Sequence, residues 1–102
     1  MRRGDLKPLL ELSADAYDIE LADLLGPSRR RRIVHARVLV VWALRSFGPP
    51  WSFGEIAHVI GRVDGATARH LNGNAEWLLQ RCPHFQAAAE KLRARFERKI
   101  AP

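Results

Sequence analysis

Residues 28–47 read SRRRRIVHARVLVVWALRSF. Four arginines open the stretch. From Ile33 to Leu44 it is apolar almost all round a helical projection, with VLVVWAL at 38–44 as the longest unbroken apolar run of the chain. A helix without a polar face suits the centre of a bundle, packed on several sides. Seven apolar residues fall well short of the roughly 20 that a membrane-spanning helix needs, so the run is read as a core helix. The expected bounds are about Arg30–Phe47, with Ser28 as N-cap and Gly48, Pro49 and Pro50 as the stop.

Outward from this segment the helical period recurs, and the two-residue alternation of a sheet does not. Leu6, Leu9, Leu10 and Tyr17 share one stripe of a first helix over about Leu6–Tyr17. A short second helix, Glu20–Leu25, ends at Gly26 and Pro27. Beyond the prolines, SFGE at 52–55 has the reciprocal capping pattern, in which the Ser52 hydroxyl and the Glu55 carboxylate each accept from the other's helix-end amide. A fourth helix starts there and ends near Ile60. Gly61, Arg62 and Val63 make a turn, and Asp64 caps a fifth helix with an inner stripe of Ala68, Leu71, Ala75, Leu78 and Cys82. Gly73 weakens that helix by about 1 kcal/mol relative to alanine, so a break or kink at 72–74 is the alternative to one continuous helix. Pro83 opens a sixth helix with Phe85, Ala88, Ala89, Leu92 and Phe96 on its apolar side. The expected fold is all-α: about six helices in one domain over residues 1–102, with a buried central helix and a helix-turn-helix over about 52–81.

Charge narrows the function. Lys and Arg number 17 against 11 Asp and Glu, giving +6, and 14 of the 17 are arginine, whose planar fork suits phosphate. The sign is uneven: residues 1–25 hold three basic and six acidic groups, whereas residues 26–102 hold fourteen and five. The cationic field therefore begins at Gly26. Cys82 is the only cysteine, so no intrachain disulfide forms, and a buried spare thiol in a reducing compartment is the expectation. MRRGDLKPLL at the start lacks the apolar run and cleavage site of a signal peptide, which points to a cytoplasmic location.

Four adjacent cations at a helix start, Arg29, Arg30, Arg31 and Arg32, repel one another and oppose the helix dipole. Folding alone gives no reason to put them there. A phosphate partner does, because anions relieve the repulsion and release their own counterions. Arginine is also the residue that enters a narrow minor groove. The helix-turn-helix geometry would set the start of the fifth helix in a major groove. On that helix, Ala66, Arg69, His70, Gly73 and Trp77 lie opposite the inner stripe, and only Arg69 among them suits a bidentate contact with guanine. Two short helices joined by a glycine turn also occur in bundles that bind no DNA; the arginines tip the reading toward duplex DNA.

The remaining candidates take plainer roles. His35, His58, His70 and His84 lack the spacing of a metal site and are expected at the surface or as caps. Trp42 belongs to the core, Trp51 covers the start of the fourth helix, and Trp77 packs under the last helix, with a dimer contact as its alternative. No nucleophile elbow, carboxylate pair or phosphate-cradling loop is present, so neither an enzyme, a cofactor nor a small-molecule substrate is expected. Glu90 and Glu97 argue against laying the basic last helix on a membrane.

From Leu9 to about Cys82, some three-quarters of the chain, the sequence resembles the C-terminal DNA-binding domain of DnaA, the bacterial replication initiator, a helical fold related to the Trp repressor. ADAYDIELADLLGPSRRRRIVHAR keeps the family's order of Tyr, Ile, an acidic residue before two leucines, a basic loop and an arginine entering the long helix. WSFGEIAHVIG matches its Ser and Glu-Ile before the turn. The resemblance implies that Arg29 or a neighbour enters the minor groove and that Arg37 supports phosphate contact. Of the family's GGRDHTT signature and the His that follows it, Gly61, Asp64, Thr67 and His70 stand in place. Arg62 replaces the second glycine, Val63 the arginine, Gly65 the histidine and Ala66 the first threonine. Those changes fall on base-reading positions, so the resemblance implies gripping of phosphate with reading altered or reduced: Asp64 and Thr67 remain as direct readers, and Ala66 can still touch a thymine methyl. The expected function is a stand-alone, nucleoid-associated duplex-DNA-binding module, a regulator or a competitor for sites. Its runner-up is an interaction module whose basic face binds an acidic protein.

Overall fold

The computed structural model describes residues 3–47, 51–61 and 65–96. After a single 3-10 turn at Arg3–Asp5 come six α-helices: α1 (Leu6–Ala16), α2 (Leu21–Leu25), α3 (Arg31–Phe47), α4 (Phe53–Val59), α5 (Gly65–Arg81) and α6 (Pro83–Phe96). Among the described residues there is no strand, and no helix is long and apolar enough to cross a membrane.

The all-round apolar character of α3 is used in full. Ile33 and every residue from Ala36 to Leu44 are buried, and the helix touches α1, α2, α5 and α6. Trp42 meets Phe47 and Phe85 edge-on at centroid distances of 5.1 and 6.5 Å, which joins α3 to α6 through aromatic contact. Ser13, also fully buried, donates its hydroxyl to the Leu9 carbonyl at 2.8 Å and so brings no unsatisfied polar atom into the α1–α3 contact.

Helix ends follow the sequence with local corrections. α1 stops at Ala16, one residue short of the expected Tyr17, because Tyr17 already leaves helical geometry and Asp18 takes a left-handed φ of +53°. The Asp18 amide then donates to Asp15 O and the Ile19 amide to Ala14 O, the paired bonds that close a helix C-terminus. α3 begins at Arg31 and not Arg30, and Ser28 is not its cap: the Ser28 hydroxyl accepts from the Arg30 amide at 3.3 Å, in the loop before the helix. At α4 the reciprocal cap forms as expected, with Glu55 N–H on Ser52 Oγ and Ser52 N–H on a Glu55 carboxylate oxygen, both at 3.0 Å. α5 runs unbroken through Gly73, since Ala68, Leu71, Ala75 and Leu78 on both sides of it are buried against the core. Their burial outweighs a propensity cost of about 1 kcal/mol. α6 starts at Pro83, and His84 Nε2–H donates to Ala16 O at 2.7 Å, tying that start to an end carbonyl of α1.

Candidate nucleic-acid interface

Arg29, Arg30, Arg31 and Arg32 are all exposed, and among the described residues none of them forms an ion pair. Arg30 and Arg32 share a surface hollow with Asp18, Glu20 and Asp23, so the acidic end of the chain borders the basic segment without neutralising it by contact.

Arg37 lies elsewhere. Only 3% exposed, it is absent from the surface where the resemblance implied a part in phosphate contact. Its Nε–H donates to Leu24 O at 2.8 Å, one Nη to Ser28 O, and the other Nη to Asp23 O at 3.1 Å and to Gly26 O. The planar fork thus gathers carbonyls from the end of α2 and the loop after it, groups that a helix terminus leaves without intrahelical partners. Arg37 braces the basic loop from inside the fold, turned away from solvent. Its place between Ala36 and Val38, in a helix buried on all sides, is the sequence signal for that role.

The turn between α4 and α5 sits against the same region. Gly61 has φ +74°, and a Cβ built there would stand 2.8 Å from the Leu25 carbonyl. Only glycine satisfies both the left-handed backbone and the close approach. Gly61, just after α4, therefore abuts the end of α2, and the arginine segment begins four residues after Leu25.

The leading turn of α5 is open in part. Ala66, Arg69 and His70 are exposed, while Gly65 and Thr67 are half-buried. Arg62 and Asp64, the other two expected site residues, lie outside the described residues, as does the expected capping role of Asp64. The resemblance implied a base-reading position at Gly65; in the structure the glycine has a packing task. A Cβ there would be 3.1 Å from Gly54 N and 3.3 Å from Gly54 Cα, so the glycine sets how closely α5 crosses the start of α4. Further along the exposed face, Trp77 is 57% exposed and does not pack under α6 as expected, because it points away from the buried Ala75 and Leu78.

A residue absent from the sequence reading completes the surface. Arg45, in the last turn of α3, places its guanidinium 4.4 Å from the centre of the Phe53 ring and donates to Trp51 O at 2.9 Å; Arg69 reaches the same ring at 5.3 Å. Arg45, Arg69, Ser52, Gly54, Gly65 and Ala66 border one open cleft around Phe53. Cation–π contact steadies both side chains while leaving N–H edges for an anion. Sequence spacing offered no clue, since the pairing joins α3, α4 and α5.

Beside Arg31, His35 has its pKa lowered, mainly by burial and further by the charges of Arg31 and His84. Tyr17, which packs against both histidines at ring-centroid distances of 6.2 and 4.6 Å, is pushed above the ordinary phenol range by burial, with Cys82 adding to the shift. The basic segment is thus backed by the aromatic cluster of Tyr17, His35 and His84.

Neither a protein-family model nor a curated protein matches this sequence.

Proposed function

We propose that this chain is a duplex-DNA-binding module of the kind that the DnaA C-terminal domain represents, built to hold phosphates firmly and to read few bases. The observation that carries this reading is the set of exposed Arg29–Arg32, which form no ion pair among the described residues and follow the end of α2 against which Gly61 packs. In the proposed mode the leading turn of α5 enters a major groove while Arg29–Arg32 meet the adjoining backbone or minor groove. Arg45 adds a phosphate contact, and Arg69 supplies what base discrimination there is. Arg37 acts one step back, as the positioning residue that keeps the loop in shape. A regulator, or a competitor for sites at a replication origin, is the role that fits such a module.

Selection from random duplexes at two salt concentrations tests this directly. With about six phosphates engaged, affinity is expected to fall about a thousandfold between roughly 50 and 200 mM salt, with one sequence class enriched. Failure to retain any duplex at the lower salt would overturn the proposal and leave an acidic protein as the partner of the basic face.

A further inference from the structure

Trp77 is the largest exposed apolar side chain among the described residues, and Arg81, one turn on, stacks its guanidinium 5.4 Å from the ring centre. Ala66, His70, Gly73, Trp77 and Arg81 succeed one another at helical spacings of three or four, forming one exposed column along α5. A Cβ added at Gly73 would meet nothing within 4 Å. The missing side chain relieves no crowding within the chain, although glycine in a helix interior is costly. What it does provide is room for an outside surface to approach the α5 backbone just before Trp77.

We propose that Trp77 and Arg81 form a second contact with the same duplex, in which Arg81 engages a phosphate and the Trp77 ring packs on the neighbouring sugar edge. This rests on the DNA reading above. The charge of the face supports it: Arg69 and Arg81 stand with His70 against the single acid Glu76. So does its reach. Gly65 to Arg81 is about 24 Å of helix, about seven base-pair steps, so a helix that enters the groove at Ala66 brings Trp77 and Arg81 to the flanking backbone. A second copy of the chain fits less well, because a twofold contact through this column would bring equivalent arginines of a +6 chain together.

Tryptophan fluorescence tests the contact. Trp42 and Trp51 are buried, so the neutral quencher acrylamide reads chiefly Trp77. Adding a duplex of about 20 base pairs, roughly three times the span of α5, should protect that signal, and the protection should vanish in Trp77→Phe. Arg81→Ala should reduce the slope of log affinity against log salt by about one, and Gly73→Ala should weaken binding several-fold while leaving the helix intact. Duplex bound by the anisotropy of a labelled strand, with Trp77 still quenched as in free protein, would overturn this contact and leave the DNA reading standing. No duplex bound at all would remove both. Protection that grows with protein concentration in the absence of DNA would assign the column to self-association and overturn the contact as well.

Discussion

Arg37 on α3 donates its Nε–H to the carbonyl of Leu24 on α2 at 2.8 Å, and the rest of its guanidinium takes the Asp23, Gly26 and Ser28 carbonyls. One side chain therefore closes α2 and sets the path of the loop that presents Arg29–Arg32. Removing it leaves the buried Leu24 carbonyl without this donor, at a cost of about 1–3 kcal/mol, and takes a donor from three part-buried carbonyls as well. Arg37→Ala is expected to lower unfolding free energy by about 3 kcal/mol in urea denaturation. Arg37→Lys should recover only part of this, because an ammonium lacks the planar fork. A loss under about 1 kcal/mol for the alanine variant would show that the loop holds its own shape.

The two residues at positive φ among the described residues predict opposite results. Gly61 combines φ +74° with the Leu25 carbonyl 2.8 Å from where a Cβ would stand. Gly61→Ala should cost about 2 kcal/mol and displace the turn from α2. Asp18, at φ +53°, bears a left-handed cost that glycine does not. Asp18→Gly is expected to raise stability by about 0.5–1 kcal/mol while keeping the Ile19 to Ala14 bond. Thermal melts of both variants check the pair, and equal signs would contradict the argument.

His35 gives the chain a pH dependence of known sign. Burial, with the charges of Arg31 and His84 adding to the effect, holds its folded pKa below the ordinary imidazole value of about 6.5. In the unfolded chain the imidazole takes up a proton near 6.5, whereas in the fold it resists, so between the two pKa values the unfolded state binds more protons. Stability is therefore full above about 6.5 and declines as pH falls below it. Denaturation midpoints at about pH 7.5, 6.5 and 5.5 should fall in that order, and His35→Gln should flatten the series. A flat wild-type series would remove His35 from the account.

Punctuation and stripes made most of the fold legible. The Pro49–Pro50 stop, the SFGE cap, Pro83 and the apolar spacing of α5 and α6 act within a few residues of themselves, and each marked its element correctly. Gly73 weakens α5 without ending it, because burial of Ala75 and Leu78 decides that helix. The candidate site was less legible because its geometry depends on distant partners. Arg37 faces inward to α2, Gly65 is shaped by Gly54 on α4, and Arg45 meets Arg69 only through Phe53. Trp77 was assigned to a contact with α6 that the rotation of α5 does not allow. Apart from Arg37, whose place in an all-round apolar helix marks it as buried, local sequence reports the charge of such residues but not the direction in which they point.

Arginines of the interface should separate into grip and reading. Changing Arg29–Arg32 together to alanine removes four exposed charges that make no ion pair within the described chain, so it should leave folding intact and abolish binding to every duplex. Arg45→Ala should weaken all sequences alike and lower the salt slope by about one. Arg69→Ala should instead cost about 1–3 kcal/mol on the preferred site and less on others, compressing the difference between them. Phe53→Leu provides a control, since it removes the ring under both guanidiniums without changing net charge. Binding isotherms on a preferred and a scrambled duplex read all four variants. If Arg69→Ala lowers affinity equally on both duplexes, Arg69 belongs with the phosphate contacts, and base reading must be sought elsewhere on α5.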